Sequence, residues 1–273
     1  MKINKFRGSI IIIKRCFALA LALLATSPVM AEETWTDLGT YLFAFGIEGD
    51  AQVRNKVTAD VDVGFDDILD NLDMGLSVYV EHRRDKWSFI GDYIYFGVSA
   101  DDSTAFDRTI LSIEVELDVE FEQSVLEGFV GYRVLERDYE TTTLGLDLLV
   151  GARHTTLDID LDSEASVLGL IRSGDRENGR SREEDWTDIV LALRLQCGGD
   201  KGWGSSFWVD VGDGSDSSSK QFMALATYRD DGNWRFFGGY RYYHLKYETG
   251  SGSSEFDVDL DYTGPLFGAS YRM

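Results

Sequence analysis

A chain of 273 residues with 48 acidic and 26 basic side chains carries a formal charge of −22, which excludes the basic footprint of a nucleic-acid binder. Two prolines, 28 glycines and 13% aromatic residues suit long, uninterrupted strands. Of the two cysteines, Cys16 lies in a segment that reads below as a removable signal, and Cys197 alone can build neither a disulfide framework nor a cysteine-rich metal site.

The first 31 residues read as a cleavable export signal. Lys2, Lys5, Arg7, Lys14 and Arg15 make a basic start, an apolar stretch runs from Cys16 to about Ala25, and Pro28-Val29-Met30-Ala31 places small or apolar residues at −3 and −1. A retained membrane helix fits less well, because Lys14 and Arg15 interrupt the apolar run and the remainder is too short to span. Residues 32–273 read as a single domain with no apolar run long enough for a membrane helix.

From residue 37 onward almost every segment alternates with period two, the signature of a strand. The expectation is an all-β, antiparallel, up-and-down transmembrane barrel of about ten strands, within a range of about 8–12. The strands fall near 37–54, 73–84, 87–101, 116–135, 142–160, 186–197, 203–212, 220–229, 234–248 and 255–272. A small hairpin adds 57–63, Phe65 to Leu72 is spaced as a helical turn, and 109–135 reads as one long strand or a hairpin of two. Tight turns at Arg83-Arg84-Asp85-Lys86, Arg137-Asp138-Tyr139, 198–202 and Asp230-Asp231-Gly232-Asn233 alternate with longer polar loops at 55–72, 102–108, 161–185, 213–219 and 249–254. Short turns at one end and long loops at the other are what an outer-membrane barrel requires, the short ones being periplasmic.

Parity separates two faces. Tyr41, Phe43, Phe45 and Ile47 share one in the first strand; Trp87, Phe89, Tyr93 and Tyr95, then Leu126, Val130 and Tyr132, then Leu144, Leu146, Leu148 and Val150 do so in later ones. Ile189, Leu191, Leu193 and Leu195, and Trp234, Phe236, Tyr240 and Tyr242 continue the series as a lipid band with aromatic girdles. The opposite face carries Glu81, Arg83, Asp92, Glu127, Arg133, Asp147, Arg153, Arg194, Asp210, Arg241 and Arg272. An arginine facing lipid near the midplane costs about 2–4 kcal/mol, so these point inward and pair around the lumen, either as a salt-bridge filling or as a selectivity constriction. A barrel this narrow favours the filling.

Toward the loop ends, Glu114 to Glu122, Asp158 to Asp162 and Asp257 to Asp261 place acids on alternate positions, with apolar residues between them. With unbroken parity the acids continue the outer face and the apolar residues line an upper lumen. The acids then serve as solvated strand faces, or as carboxylates bridged through divalent cations to outer-membrane lipid and lipopolysaccharide; the apolar lumen could hold a hydrophobic ligand.

Catalysis is not expected. His82, His154 and His244 all fall on the outer face, away from the inward acids, and a Ser-His-acid unit needs its members within hydrogen-bond reach. His154 near Thr155 and Asp158 is the best of the three. Asp66 to Asp73 lacks the central glycine and the final glutamate of a calcium loop, and no phosphate loop is present, so no metal or cofactor is expected.

Phe65 to Gly75, Glu81-His82-Arg83, Trp87, Asp92 to Tyr95, Gly131-Tyr132-Arg133, Leu148 to Arg153, Gly239 to Tyr242 and Gly264 to Gly268 resemble a family of outer-membrane β-barrels distantly like the OmpA and OmpW group. The resemblance covers most of residues 32–273 and implies an outer-membrane, porin-like barrel with no assigned cargo. Phe267, Ala269, Tyr271 and Met273 also resemble the terminal strand by which such barrels address their insertion machinery, with Met273 in place of the usual aromatic residue.

Overall fold

The computed structural model describes residues 34–53, 57–63, 72–108, 111–168, 176–199, 201–251 and 256–273. The expected export signal and most of the expected helical turn lie outside them. The described residues form β1 (Thr34–Phe43), β2 (Gly46–Val53), β3 (Val57–Val63), β4 (Leu72–Arg84), β5 (Trp87–Arg108) and β6 (Leu111–Asp138). β7 (Thr143–Leu168), β8 (Arg176–Gly198), β9 (Gly202–Asp213), β10 (Ser217–Arg229), β11 (Trp234–Thr249) and β12 (Phe256–Arg272) complete them.

β1 and β4 through β12 pair in sequence order, and β12 returns to β1, so the sheet closes. Every pairing is antiparallel. β2 continues the line of β1 along β12, and β3 adds a further strand outside it. The result is a closed ten-strand barrel plus one strand, as the alternation predicts.

The predicted strand 37–54 is broken at Ala44-Phe45. Opposite Ala44 lies Pro265, whose carbonyl accepts from the Ala44 amide at 2.9 Å but which has no N–H to return. Beside it Gly264 lets the backbone close in: a Cβ there would sit 1.9 Å from the Ala44 carbonyl. The ladder therefore lapses for two residues and resumes at Gly46↔Thr263.

Two predicted loops are largely strand. β5 runs to Arg108, and β7 and β8 run to Leu168 and from Arg176, where 102–108 and 161–185 were expected to be loop. Both segments are rich in polar and charged residues, yet their described parts pair with neighbouring strands. The segment 111–135 lies within one strand, β6, of 28 residues. At ~3.3 Å per residue this spans about 90 Å, where a membrane crossing takes only about 9–11 residues. β5 to β8 therefore stand well beyond any lipid band.

The turns at the other end are short, as predicted. Asp85 takes a positive φ of 50° in the β4–β5 turn, a conformation that Asp tolerates. In the β10–β11 turn the Asp230 carboxylate accepts from the backbone amides of Gly232 at 2.9 Å and Trp234 at 3.1 Å.

Five of the six face assignments hold: Trp87, Phe89, Val130, Leu148, Val150, Ile189, Leu191, Trp234, Phe236 and Tyr240 are exposed on the outer wall. The first strand is a correction. Phe43, Phe45 and Ile47 are buried inside the barrel, while Leu38 and Leu42 face outward. Leu38 and Leu42 on one face are as apolar as Phe43 on the other, and only Asp37, on the parity of Tyr41 and Phe43, marks the inward side.

One seam is weak. Backbone pairing between β1 and β4 stops at Gly39↔Tyr79. Beyond it Ser77 takes over: its hydroxyl accepts from the Tyr41 amide at 2.8 Å and donates to the Tyr41 carbonyl, while its own carbonyl accepts from Thr40 Oγ1 at 2.8 Å.

Candidate functional site: the filled lumen

All eleven charged residues picked out by parity lie on the inward face. Each sits on a strand where its two sequence neighbours face outward, so the pleat alone aims it at the axis. They form three clusters and one incomplete pair.

The largest cluster joins β4, β6, β7 and β8. Asp147, fully buried, accepts from Arg83 at 2.7 Å, Arg133 at 2.8 Å and Arg194 at 2.9 Å. Glu81, also fully buried, takes Arg194 as a two-pronged partner at 2.7 and 3.0 Å and the Tyr79 hydroxyl at 2.6 Å. Arg83 reaches Glu81 at 3.5 Å and links the two acids. The Arg194–Glu81 contact runs from β8 to β4, across the barrel.

The second cluster centres on Arg153 of β7. It donates to Glu127 at 2.5 Å, Asp210 at 3.0 Å and Ser219 at 2.8 Å. Asp210 also accepts from Trp208 Nε1 at 2.5 Å and Gln221 at 2.9 Å. The third cluster lies near the turns, where Asp37 accepts from Arg272 at 2.8 and 3.1 Å and from Arg229 at 3.4 Å, with Arg235 3.6 Å away.

Asp92 and Arg241 complete the eleven but make no ion pair with each other. Instead they share Tyr41, whose hydroxyl donates to Asp92 at 2.7 Å and accepts from Arg241 at 3.5 Å. Arg241 is held chiefly by the ring faces of Phe43 and Tyr243, at 5.2 and 5.6 Å.

Parity reasoning passed over Asp37, Asp188, Arg229 and Arg235, although the signal was there. Arg235 stands between the outward Trp234 and Phe236, and Asp188 stands one residue before the outward run that begins at Ile189. Asp188 accepts from the Ser217 hydroxyl and, at 2.6 Å, from that of Ser219.

Loopward of the charges the lumen turns apolar, as the alternating acids predict. Phe45, Phe96, Val125, Leu157, Leu245, Val258, Leu260 and Tyr262 are buried in one cluster. Phe45 packs on Phe96 at 4.6 Å and on Tyr262 at 5.6 Å between ring centres. The Tyr262 hydroxyl donates to Gln123 at 2.5 Å, joining β12 to β6 across the axis. At the top Trp186 stacks on Tyr247 at 4.4 Å, the Tyr247 hydroxyl donates to Glu184 at 3.0 Å, and Arg182 covers the Phe256 ring at 4.8 Å. On the outer wall Asp257, Asp259 and Asp261 face away from this cluster, in line with the outward Phe267 and Tyr271. The side chains of 111–120 and 159–162 lie outside the described ones.

The histidines are outward. His82 meets Thr36 Oγ1 at 2.9 Å, His154 meets Thr187 Oγ1 at 3.0 Å, and His244 meets Asp261 at 2.9 Å. Thr155, the expected neighbour of His154 in a catalytic unit, is buried on the opposite face.

No protein-family model and no curated protein sequence matches the chain. Among solved structures it is similar to the outer membrane protease OmpT of Escherichia coli, with a TM-score of 0.51 at 8% identity over 90% of this chain and 99% of that one. It also matches Ail, the attachment invasion locus protein of Yersinia pestis, with a TM-score of 0.33 at 12% identity over 88% of this chain and 98% of that one. The first likeness establishes the outer-membrane-barrel fold.

Proposed function

We propose that this chain is an integral protein of a bacterial outer membrane whose barrel is closed to solute flow and serves as a rigid scaffold for its loop-side strands. The observation that carries the reading is the apolar cluster across the lumen: Leu157, Leu245, Val258, Leu260 and Tyr262 are each 2% exposed or less. Water does not pass a layer packed like a protein core. In this reading the paired charges fill the barrel and do not select ions. The outward histidines serve the outer surface and not catalysis.

The test is conductance in a planar bilayer. The reconstituted protein should be electrically silent, and a Phe45→Ala, Tyr262→Ala double variant should show discrete openings. Steady conductance of the unaltered protein, changed by Arg133→Ala, Arg194→Ala or Arg241→Ala, would establish a pore instead. Outer-membrane fractionation and heat-modifiable migration on a denaturing gel test the location; a soluble periplasmic protein would end the proposal.

A further inference from the structure

Among the charge clusters, on the turn side of the apolar layer, lies a cavity of about 90 Å³. Its wall combines Phe129, Trp208, Met223 and Phe237 with the guanidinium groups of Arg235 and Arg241. A mostly apolar wall with a few convergent polar groups is the usual build of a small-molecule site.

Arg241 is the telling residue. Among the described residues every other inward arginine has a carboxylate within 4 Å. Arg241 is 5% exposed, makes no ion pair, and no protein group accepts from its Nε. The Nε of Arg235, in the same wall, is likewise buried with no protein acceptor. Asp92 and Glu127 stand in the same wall but neither pairs with the Arg241 guanidinium directly, and the cavity places room for an acceptor beside it.

The wall also defines the anion. Aromatic and thioether surface suits a hydrocarbon body and has no use for chloride. Asp92 and Glu127 stand in the same wall and repel a doubly charged group. We infer that the cavity binds a small organic monocarboxylate, its head on Arg241 and its body against Trp208 and Phe129. Access runs from the turn side, along β8 to β10, where the inward Gln196, Ser206 and Thr227 are small or slender and remain partly exposed. The site does not depend on whether the barrel conducts.

The test uses the full folded barrel in detergent, titrated calorimetrically with benzoate and with hexanoate, which cover an aryl and an alkyl body. Benzamide is the neutral control and sodium chloride the simple-anion competitor. Saturable binding of at least one carboxylate is expected, at least tenfold tighter than benzamide and insensitive to chloride. Arg241→Gln should weaken it at least tenfold. Ser206→Trp, which narrows the access path and leaves both arginines intact, should do the same, and it decides the matter if Arg241→Gln does not fold. No saturable binding, equal binding of benzamide, full competition by chloride, or unchanged binding in the folded variants would each overturn the inference.

Discussion

Replacing Asp147 by Asn tests whether the lumen is a dry, paired interior. The side chain keeps its shape and one acceptor oxygen but loses the charge that Arg83, Arg133 and Arg194 share at 2.7, 2.8 and 2.9 Å. Glu81 then faces Arg83 and Arg194 with no second acid beside it. Removing one partner of a buried ion pair costs about 3–5 kcal/mol, because the surviving charge stays desolvated. With a urea dependence of about 1–3 kcal/mol per molar, the unfolding midpoint should fall by more than about 1 M at an unchanged slope. The assay is reversible urea unfolding in lipid vesicles, followed by tryptophan fluorescence. Asp147→Asn combined with Arg133→Gln should recover part of the loss, since the half-buried Arg133 is the partner whose removal leaves the least charge exposed to the core. A loss under about 1 kcal/mol would refute the reasoning, because pairs that cheap are solvated like surface ones.

Three further outcomes follow from the same geometry. Lys201→Ala, which breaks the exposed pair with Asp231, should change stability by less than about 0.5 kcal/mol in the same assay. Gly239→Val should block folding, read as loss of the heat-modifiable band, because a Cβ at that position would lie 1.9 Å from the Ala224 carbonyl. Ser77→Ala should leave the fold intact yet speed hydrogen exchange at the Tyr41 amide, whose acceptor is the Ser77 hydroxyl.

Architecture was legible in the sequence because a barrel in lipid must hide every charge on one parity. Arg194 between Leu193 and Leu195, or Asp147 between Leu146 and Leu148, can point only one way, and the pattern then propagates along the strand. Where apolar residues stand on both faces that lever weakens: Asp37 is the one charge that marks the inward parity of β1, and a reading that passes over it assigns Phe43, and Phe45 just beyond the strand, to lipid. Loop boundaries failed for a related reason: 102–108 and 161–185 are polar enough for a loop, and alternation does not say whether a hydrogen-bonding neighbour exists. The break at Ala44 depends on Pro265, more than 200 residues away, and pairing at that range is invisible to a local reading. The pairing pattern in the lumen was legible only as a set. That Arg241, alone among the described inward arginines, lacks a directly paired carboxylate is a matter of ångströms, set by where Tyr41 crosses from β1 toward Asp92.

The distribution of charge explains how so acidic a chain, at −22, keeps a stable barrel. Among the described residues, inward arginines and carboxylates are nearly equal in number, so this part of the interior is close to neutral. Part of the acidic excess stands on the outer wall where β12 meets β2. There Asp261 faces Glu48 and Asp259 faces Asp50, with only His244 and Lys246 opposite them on β11. Like charges opposed across strands are unfavourable, so this wall does not stabilise the fold. It is tolerated because the same strands bury Val258, Leu260 and Tyr262 on their other face. Stability and surface chemistry thus occupy opposite parities of one strand, and either can change by substitution at alternate positions without disturbing the other.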